Sequence, residues 1–178
     1  HTTASIDQNK VDSAATTLGG LNPEIKVRTI PTALDWDDLV QEVTRADVVV
    51  DACDNFESRF EINAACVQTG TPLVSGAAVR MEGQVCVFEP RKLDSPCYRC
   101  LYPDDTSEGE PCSLVGVLAP LLGIIGSMQA TEAIKLLSGM GSSMTGRLVL
   151  LDAARMEFHD IRLKLSSKCS VCGNRPWP

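Results

Sequence analysis

Two Cys-x-x-Cys pairs constrain the fold of this chain more than any other feature. Cys97-Tyr-Arg-Cys100 and Cys169-Ser-Val-Cys172 are separated by residues 101–168. Four thiolates complete the tetrahedral shell of a zinc ion and leave no open position, so such an ion is structural and does not activate water. We therefore predict one structural Zn²⁺ that ties a tail, 166–173, to the middle of the chain, held by Cys97, Cys100, Cys169 and Cys172. A thioredoxin-like redox pair is the alternative, but neither pair opens a helix in a βαβ context.

The other cysteines in structured-looking segments have a simpler explanation. Cys53, Cys66 and Cys86 lie among apolar residues and are predicted to be small buried core residues. The first residues have neither the basic start nor the apolar run of a signal peptide. We therefore expect a reducing cytoplasm, where metal binding by thiols is favoured over disulfides.

Composition and charge exclude several classes of protein. The 178 residues are 44% hydrophobic and 22% charged, which indicates a chain with a core and not a disordered one. The net charge of -7 argues against a general nucleic-acid-binding protein, which needs a basic face. The longest apolar stretch, 114–128, is too short for a membrane span. We predict a single domain over 1–178.

The order of predicted elements indicates the fold class. Helices are predicted over 11–21, 35–44 and 58–69, and strands over 26–30, 46–51 and 72–76. This alternation predicts an α/β, Rossmann-like, mostly parallel sheet with right-handed crossovers. The later pattern predicts the second leg of a hairpin over 84–88, the longest helix over 119–138, and antiparallel strands over 147–151 and 157–165. Residues 102–111, with several acids and prolines, are predicted to form a mobile loop.

One expected unit is absent from the sequence. A doubly wound nucleotide-binding domain opens with a strand, a Gly-rich turn and a helix. Gly139-Met-Gly141 followed by Gly146 has the wrong spacing for that turn and follows a helix. The first βαβ unit is therefore expected to be missing ahead of His1.

Asp54 and Asn55 directly follow the apolar strand 46–51. Ligands of open α/β sheets bind at the carboxyl ends of strands, and a carboxylate there can hold Mg²⁺ that bridges nucleotide phosphates. Asn55 offers a donor and an acceptor to a nucleotide. Alternatively, Asp54 caps the helix that follows. Residue type alone does not decide between these functions.

Two further residues have both a functional and an ordinary interpretation. Lys10, at the start of the first helix, is either a phosphate clamp or a solvated surface charge, and the second is commoner. Cys112 follows the acidic loop and precedes the long helix. It is either a reactive thiol or a spectator, and the residues alone slightly favour a spectator.

Five motifs in order carry a family resemblance. They are Asp51–Asn55, Pro72–Gln84, Cys97–Cys100, Gly126–Lys135 and Cys169–Gly173. Together they resemble the bacterial adenylyltransferases that activate ubiquitin-like sulfur carriers, relatives of the ubiquitin-activating enzymes. The sequence is more similar to the molybdopterin branch than to the thiamine branch.

The resemblance implies a reaction and its partners. ATP and the C-terminal glycine of a carrier ending in Gly-Gly give an acyl-adenylate and pyrophosphate, and sulfur later replaces AMP as a thiocarboxylate. The implied partners are the carrier, a separate sulfur donor (a cysteine desulfurase or a rhodanese-type protein) and a second copy in a homodimer. The rival classes are a binding module without catalysis and a nicotinamide dehydrogenase. This sequence offers no positioned histidine for the hydride transfer of a dehydrogenase.

The resemblance also assigns functions to residues. Lys10 matches a nucleotide-contacting lysine, Asp54 an aspartate essential for adenylation that acts through Mg²⁺, and Asn55 a nucleotide contact. Arg59, four residues beyond Asn55, is expected on the same helix face, where it contacts the nucleotide or steers the carrier's C-terminus. Cys112 lies where the thiamine branch keeps a cysteine that links covalently to its carrier, so its function stays open.

Overall fold

The computed structural model describes residues 2–103 and 116–173 of the chain. The described residues fall into two compact units, divided between Asp35 and Trp36. The first unit contains a short 3-10 turn, Thr3–Ser5, and helix α1, Lys10–Leu21. The helices of the second unit are α2 (Trp36–Arg45), α3 (Phe56–Thr69), α4 (Tyr98–Leu101) and α5 (Ala119–Ser138). Its strands are β1 (Val49–Asp51), β2 (Leu73–Val79), β3 (Glu82–Phe88), β4 (Arg147–Asp152) and β5 (Glu157–Arg162).

The strands of the second unit form one mixed sheet in the order β1-β2-β3-β4-β5. β1 and β2 are parallel and connected through α3, and each later strand is antiparallel to the one before it. The last residue of β1, Asp51, pairs with Ser75 in β2. Because β2 continues to Val79, the end of β1 lies beside the middle of β2. This arrangement confirms the α/β fold class with antiparallel C-terminal strands.

Helices cover both faces of the sheet. On one face, α2, α3 and α4 pack against β2 and β3 through a core that includes Leu73, Phe88 and Tyr98. On the other face, α5 packs through Leu121 and Ile125. The two faces separate because successive side chains of a strand point to opposite sides. Helices α3 and α5 therefore lie on opposite faces of the sheet near the carboxyl end of β1.

The predicted core cysteines are partly confirmed. Cys66 of α3 and Cys86 of β3 are each 1% exposed and lie in the core between this helix and the sheet. Cys53 is only half-buried, because it lies beyond the end of β1. Cys53 is therefore a loop residue next to Asp54 and not part of the core.

The segment 26–30 is not a strand, although its alternating pattern predicted one. A strand exists only where its backbone groups pair with a neighbour, and within the described residues this segment has no ladder partner. The sheet of the described residues is mixed, because β3, β4 and β5 each run antiparallel to the strand before them. One pair of strands is parallel and three are antiparallel.

The remaining elements follow the predicted order with shifted ends. The first predicted strand of the second unit shortens to β1, whereas the hairpin strands β2 and β3 are longer than predicted. The long helix α5 has the predicted bounds, and Gly139 ends it with φ +68°, in the left-handed region that favours glycine. The one-turn helix α4 was not predicted. Among the described residues, no helix is long and apolar enough to cross a membrane.

Candidate functional site

Asn55, and not Asp54, caps helix α3. Asn55 has extended backbone angles, and its Oδ1 accepts a hydrogen bond from the Ser58 amide at 2.8 Å. This bond satisfies one of the amides that a helix leaves unpaired at its start. The cap therefore leaves the neighbouring Asp54 carboxylate for another function.

The Asp54 carboxylate is exposed at the carboxyl end of β1. Asn55 Nδ2 lies 3.4 Å from Asp54 Oδ1. A solvent-facing carboxylate just beyond a buried strand can reach a cation that also binds phosphate oxygens. The predicted position of Asp54 at this end of the sheet is thus confirmed, and its predicted binding of Mg²⁺ stays a prediction.

The other aspartate of the motif, Asp51, serves a different purpose. It is 2% exposed. Its Oδ1 accepts from the Cys53 amide at 2.9 Å, and its Oδ2 accepts from Ser75 Oγ at 2.8 Å and Arg59 Nη1 at 3.1 Å. Burial of a charge is tolerated where it is paired and hydrogen-bonded in this way. The charge of Asp51 is therefore paired with that of Arg59 inside the protein. Asp54 is the aspartate of the motif that faces solvent.

Arg59 points into the protein, whereas it was predicted to share a helix face with Asn55, which is exposed. The Arg59 side chain is 6% exposed. Besides Asp51, it donates from Nη1 to Ser75 Oγ at 3.1 Å and from Nη2 to the carbonyls of Gly76, at 3.0 Å, and Cys53. Its guanidinium thus joins β1, the loop after it and β2. The predicted contact of Arg59 with a nucleotide or carrier is untested, and it would compete with these bonds.

Gln129 of α5 supports the same place from the opposite face of the sheet. It is 4% exposed, and its Nε2 donates to the carbonyls of Asp51 at 2.7 Å and Val74 at 3.3 Å. The backbone of Gly76 passes so close that a Cβ there would lie 2.3 Å from Gln129 Cδ. A side chain at position 76 would therefore force Gln129 to shift.

The thiol beside Asp54 is poorly suited to act as a nucleophile. Burial, reinforced by the negative charge of Asp51, raises the pKa of Cys53 to about 11. The thiolate is the reactive form, so this thiol stays protonated near neutral pH.

The structure brings the four predicted metal ligands together. All four Sγ atoms of Cys97, Cys100, Cys169 and Cys172 lie within 4.8 Å of one another. Cys97 Sγ lies 3.7 Å from Cys169 Sγ, and Cys100 Sγ lies 3.3 Å from Cys172 Sγ. Ligand atoms at about 2.3 Å from one tetrahedral ion are about 3.8 Å apart. These separations fit a shared metal ion and are too long for disulfide bonds.

Contacts with the tail and with helix α3 hold the four cysteines in place. The Ser166 amide donates to Cys100 Sγ at 3.5 Å. Cys97 is the N-cap of α4 and Cys100 lies within this helix, whose Tyr98 amide donates to Asn63 Oδ1 of α3 at 2.7 Å. Arg99 places its guanidinium carbon 3.3 Å from the centre of the Phe60 ring, also in α3. The cluster is therefore connected to the helix that begins beside Asp54.

Lys10 and Cys112 are not brought to this site by any described contact. Lys10 is the exposed first residue of α1 in the first compact unit. Cys112 and most of the loop predicted over 102–111 lie outside the described residues. Their predicted functions stay predictions.

Comparison with known proteins decides the family. The family model described as ThiF family matches residues 1–171. This chain belongs to the ThiF family. The predicted resemblance is therefore confirmed over nearly its whole length.

Two curated relatives show how similar this ThiF-family chain is to named enzymes. It is 42% identical over 173 residues to molybdopterin-synthase adenylyltransferase of Escherichia coli (strain K12), covering 97% of this chain and 69% of the relative. It is 41% identical over 172 residues to sulfur carrier protein ThiS adenylyltransferase of the same strain, covering 97% and 68%. Both relatives are named as adenylyltransferases.

Among solved structures, E. coli MccB has the same fold. The TM-score is 0.81 at 22% identity, covering 100% of this chain and 53% of MccB. The chain thus spans about half the length of MccB. At this identity the likeness supports the fold alone.

The buried support of the site is not evident from the sequence. Ser75, Gly76 and Gln129 lie far from Asp54 in sequence, and only the fold brings them to the end of β1. One signal was present: Asp51 ends an apolar run, and a carboxylate at the end of a buried strand needs a buried partner. That signal predicts a buried partner for Asp51 but does not identify the residue.

Proposed function

We propose that the full-length protein adenylates the C-terminal glycine of a ubiquitin-like sulfur-carrier protein with ATP. In this reaction the carrier carboxylate attacks the α-phosphorus, the bond to the bridging oxygen of the β-phosphate breaks, and pyrophosphate leaves. The products are a carrier acyl-adenylate and pyrophosphate. The observation that carries this proposal is the exposed Asp54 beyond β1, in a chain 42% identical to a molybdopterin-synthase adenylyltransferase.

The charges around Asp54 support a nucleotide site. Asp51 is already paired with Arg59, so Asp54 is the carboxylate of this motif left to bind a cation. Mg²⁺ is usually bound by one or two carboxylates together with substrate phosphates. Such an ion would offset the repulsion between two anions, the carrier carboxylate and the α-phosphate. Asn55 and Lys10 are the remaining proposed nucleotide contacts, with Lys10 supplying positive charge.

Two carriers fit this proposal: the names of the relatives mention molybdopterin synthase in one case and the sulfur carrier ThiS in the other. The molybdopterin-synthase small subunit is the preferred substrate, on the motif resemblance to that branch. The thiamine-pathway carrier is the alternative, supported by 41% identity to a ThiS adenylyltransferase. A cysteine desulfurase or rhodanese-type protein would then supply sulfur. We also propose a homodimer in the cytoplasm.

We propose zinc as the metal of the Cys97, Cys100, Cys169 and Cys172 cluster. The support is a set of four thiolate ligands at tetrahedral separations, since soft thiolates in this geometry favour zinc or iron–sulfur chemistry and a single ion fits the spacing. A bound ion would stabilise structure, because four protein ligands leave no position for substrate. Metal analysis should find one zinc per chain; substoichiometric zinc or disulfides in these pairs would contradict the assignment.

The decisive test of the proposed activity is pyrophosphate exchange with ATP and a Gly-Gly carrier. Asp54→Ala should lower the exchange rate by at least about 100-fold, because a metal ligand contributes several kcal/mol to the transition state. Asp47→Ala is the matched control, since Asp47 is an exposed aspartate just before the opposite end of β1. Its rate should stay near that of wild type. Exchange by Asp54→Ala within about tenfold of wild type would refute the assignment.

A further inference from the structure

The loop that carries Asp54 rests on a buried arginine. Arg59 reaches back from the first turn of α3 and donates to the Cys53 carbonyl, the residue immediately before Asp54. The same guanidinium donates to the Gly76 carbonyl at 3.0 Å and is paired with Asp51 at 3.1 Å. One side chain thus joins the residue before Asp54 to two neighbouring strands.

We propose that Arg59 is a positioning residue that sets the orientation of the Asp54 carboxylate, and so the affinity of the site for the cation that accompanies ATP. This inference rests on the proposed function for its catalytic readout. It replaces the expectation that Arg59 contacts the nucleotide or the carrier directly. Arg59 acts through the backbone of Cys53.

The geometry restrains the loop on both sides of Cys53. Its carbonyl accepts from Arg59, and its amide donates to Asp51 Oδ1 at 2.9 Å. Asp51 is itself held by Ser75 Oγ at 2.8 Å and, through its carbonyl, by Gln129 at 2.7 Å. With both ends of Cys53 tied to buried groups, the backbone that leads into Asp54 has little freedom. On the other side of Asp54, the Asn55 cap fixes the start of α3.

Arginine is the residue type that this geometry needs. Its planar guanidinium presents several donors in fixed directions, so one group serves a carboxylate and two carbonyls together. A lysine keeps the charge opposite Asp51 but has a single nitrogen on a flexible stem, and it cannot reproduce that fork. A substitution to lysine should therefore keep the ion pair and loosen the loop.

The experiment compares Arg59→Lys and Arg59→Met with a matched control in the full-length protein. The control is Glu132→Gln, which alters another buried carboxylate whose Oε2 accepts from the Met144 amide at 2.9 Å. Glu132 also pairs with Lys135 and makes no described bond to the Asp54 loop. Two quantities are measured: hydrogen exchange of the amides of 52–55, and the Mg²⁺ concentration that gives half-maximal ATP–pyrophosphate exchange. Thermal unfolding reports the loss of stability of each variant.

Arg59→Met should speed exchange of 52–55 by about tenfold or more and raise the half-maximal Mg²⁺ concentration by a similar factor, since small misplacements at a site are costly. Arg59→Lys should fall between Arg59→Met and wild type. Glu132→Gln should lower stability without changing the hydrogen exchange of 52–55 or the half-maximal Mg²⁺ concentration. The proposal is overturned if the Arg59 variants lose stability while both local quantities stay at wild-type values. If the wild-type protein shows no pyrophosphate exchange, the proposed function fails, and hydrogen exchange alone then decides the positioning of the loop.

Discussion

Placing a methyl group at Gly76 should destabilise the protein by an amount that the structure allows us to work out. The added Cβ would lie 2.3, 2.4 and 2.7 Å from Cδ, Oε1 and Nε2 of Gln129. Gln129 is 4% exposed and enclosed, so it must shift and strain its neighbours. Overpacking of this kind costs about 1–3 kcal/mol of unfolding free energy.

A second cost arises from hydrogen bonds that the shift breaks. Gln129 Nε2 donates to the Asp51 carbonyl at 2.7 Å, and a buried acceptor left without a partner costs about 1–3 kcal/mol. Together the two effects predict that Gly76→Ala lowers the free energy of unfolding by about 2–6 kcal/mol. Urea unfolding with linear extrapolation measures this value directly.

The matched control is Gly123→Ala in the exposed face of α5. No atom lies within 4 Å of a Cβ built at Gly123, so alanine should be neutral or should stabilise the helix by up to about 1 kcal/mol. A double-mutant cycle then isolates the clash. Because Gln129→Ala removes the atoms that the methyl group meets, the double variant should be more stable than the two single effects predict, by at least about 1 kcal/mol. Additive effects, or a Gly76→Ala loss within about 0.5 kcal/mol of the control, would refute the reasoning.

Three further predictions concern the cysteines. Chelation of the metal, or Cys172→Ala, should lower the melting temperature by at least about 5 °C, because metal binding contributes to folding; unchanged scans with and without chelator would contradict this. Burial raises the pKa of Cys66 to about 12, so the unfolded chain releases this proton first, and the unfolding free energy should fall as the pH rises above about 9. In a pH series of urea titrations, the unfolding free energy of Cys66→Ala should fall less steeply with pH than that of wild type. The same pH dependence in both proteins would contradict a raised pKa of Cys66. Cys112→Ala should leave acyl-adenylate formation intact and affect at most sulfur transfer; a trapped carrier adduct together with loss of the adenylate would overturn it.

The cluster of four cysteines was the most predictable part of the site because its signal is local. Two ligands separated by two residues can reach one ion from a single turn, so the spacing of Cys97 and Cys100 carries the geometry. Their pairing with Cys169 and Cys172 could be predicted because the sequence contains two Cys-x-x-Cys pairs. The fold then had to bring the two turns together, and it does.

The orientation of Arg59 could not be predicted from its distance to Asn55. Residues four apart share a face only when both have helical backbone angles. Asn55 is the cap, with φ -135° and ψ 151°, so it lies outside the helix and the spacing has no meaning there. The partners of Arg59 come from β1 and β2, which only the tertiary fold brings close.

The segment 26–30 shows the same limit for strands. An alternating pattern states which side chains prefer burial, but a ladder requires a neighbouring backbone with free donors and acceptors. Helix α5 was predicted with its correct ends because helical hydrogen bonds are made within the segment, and Gly139 marks its end in the sequence.

The separation of the two cysteine pairs along the chain has a consequence for synthesis on the ribosome. Cys100 and Cys172 are 72 positions apart, so the ribosome completes the first pair well before it adds the last ligand. At about 5–20 residues per second, the interval is about 4–14 s. During that time Cys97 and Cys100 can offer only two thiolates to a metal ion. A metal ion that needs all four thiolates can therefore be bound only after Cys172 has been added.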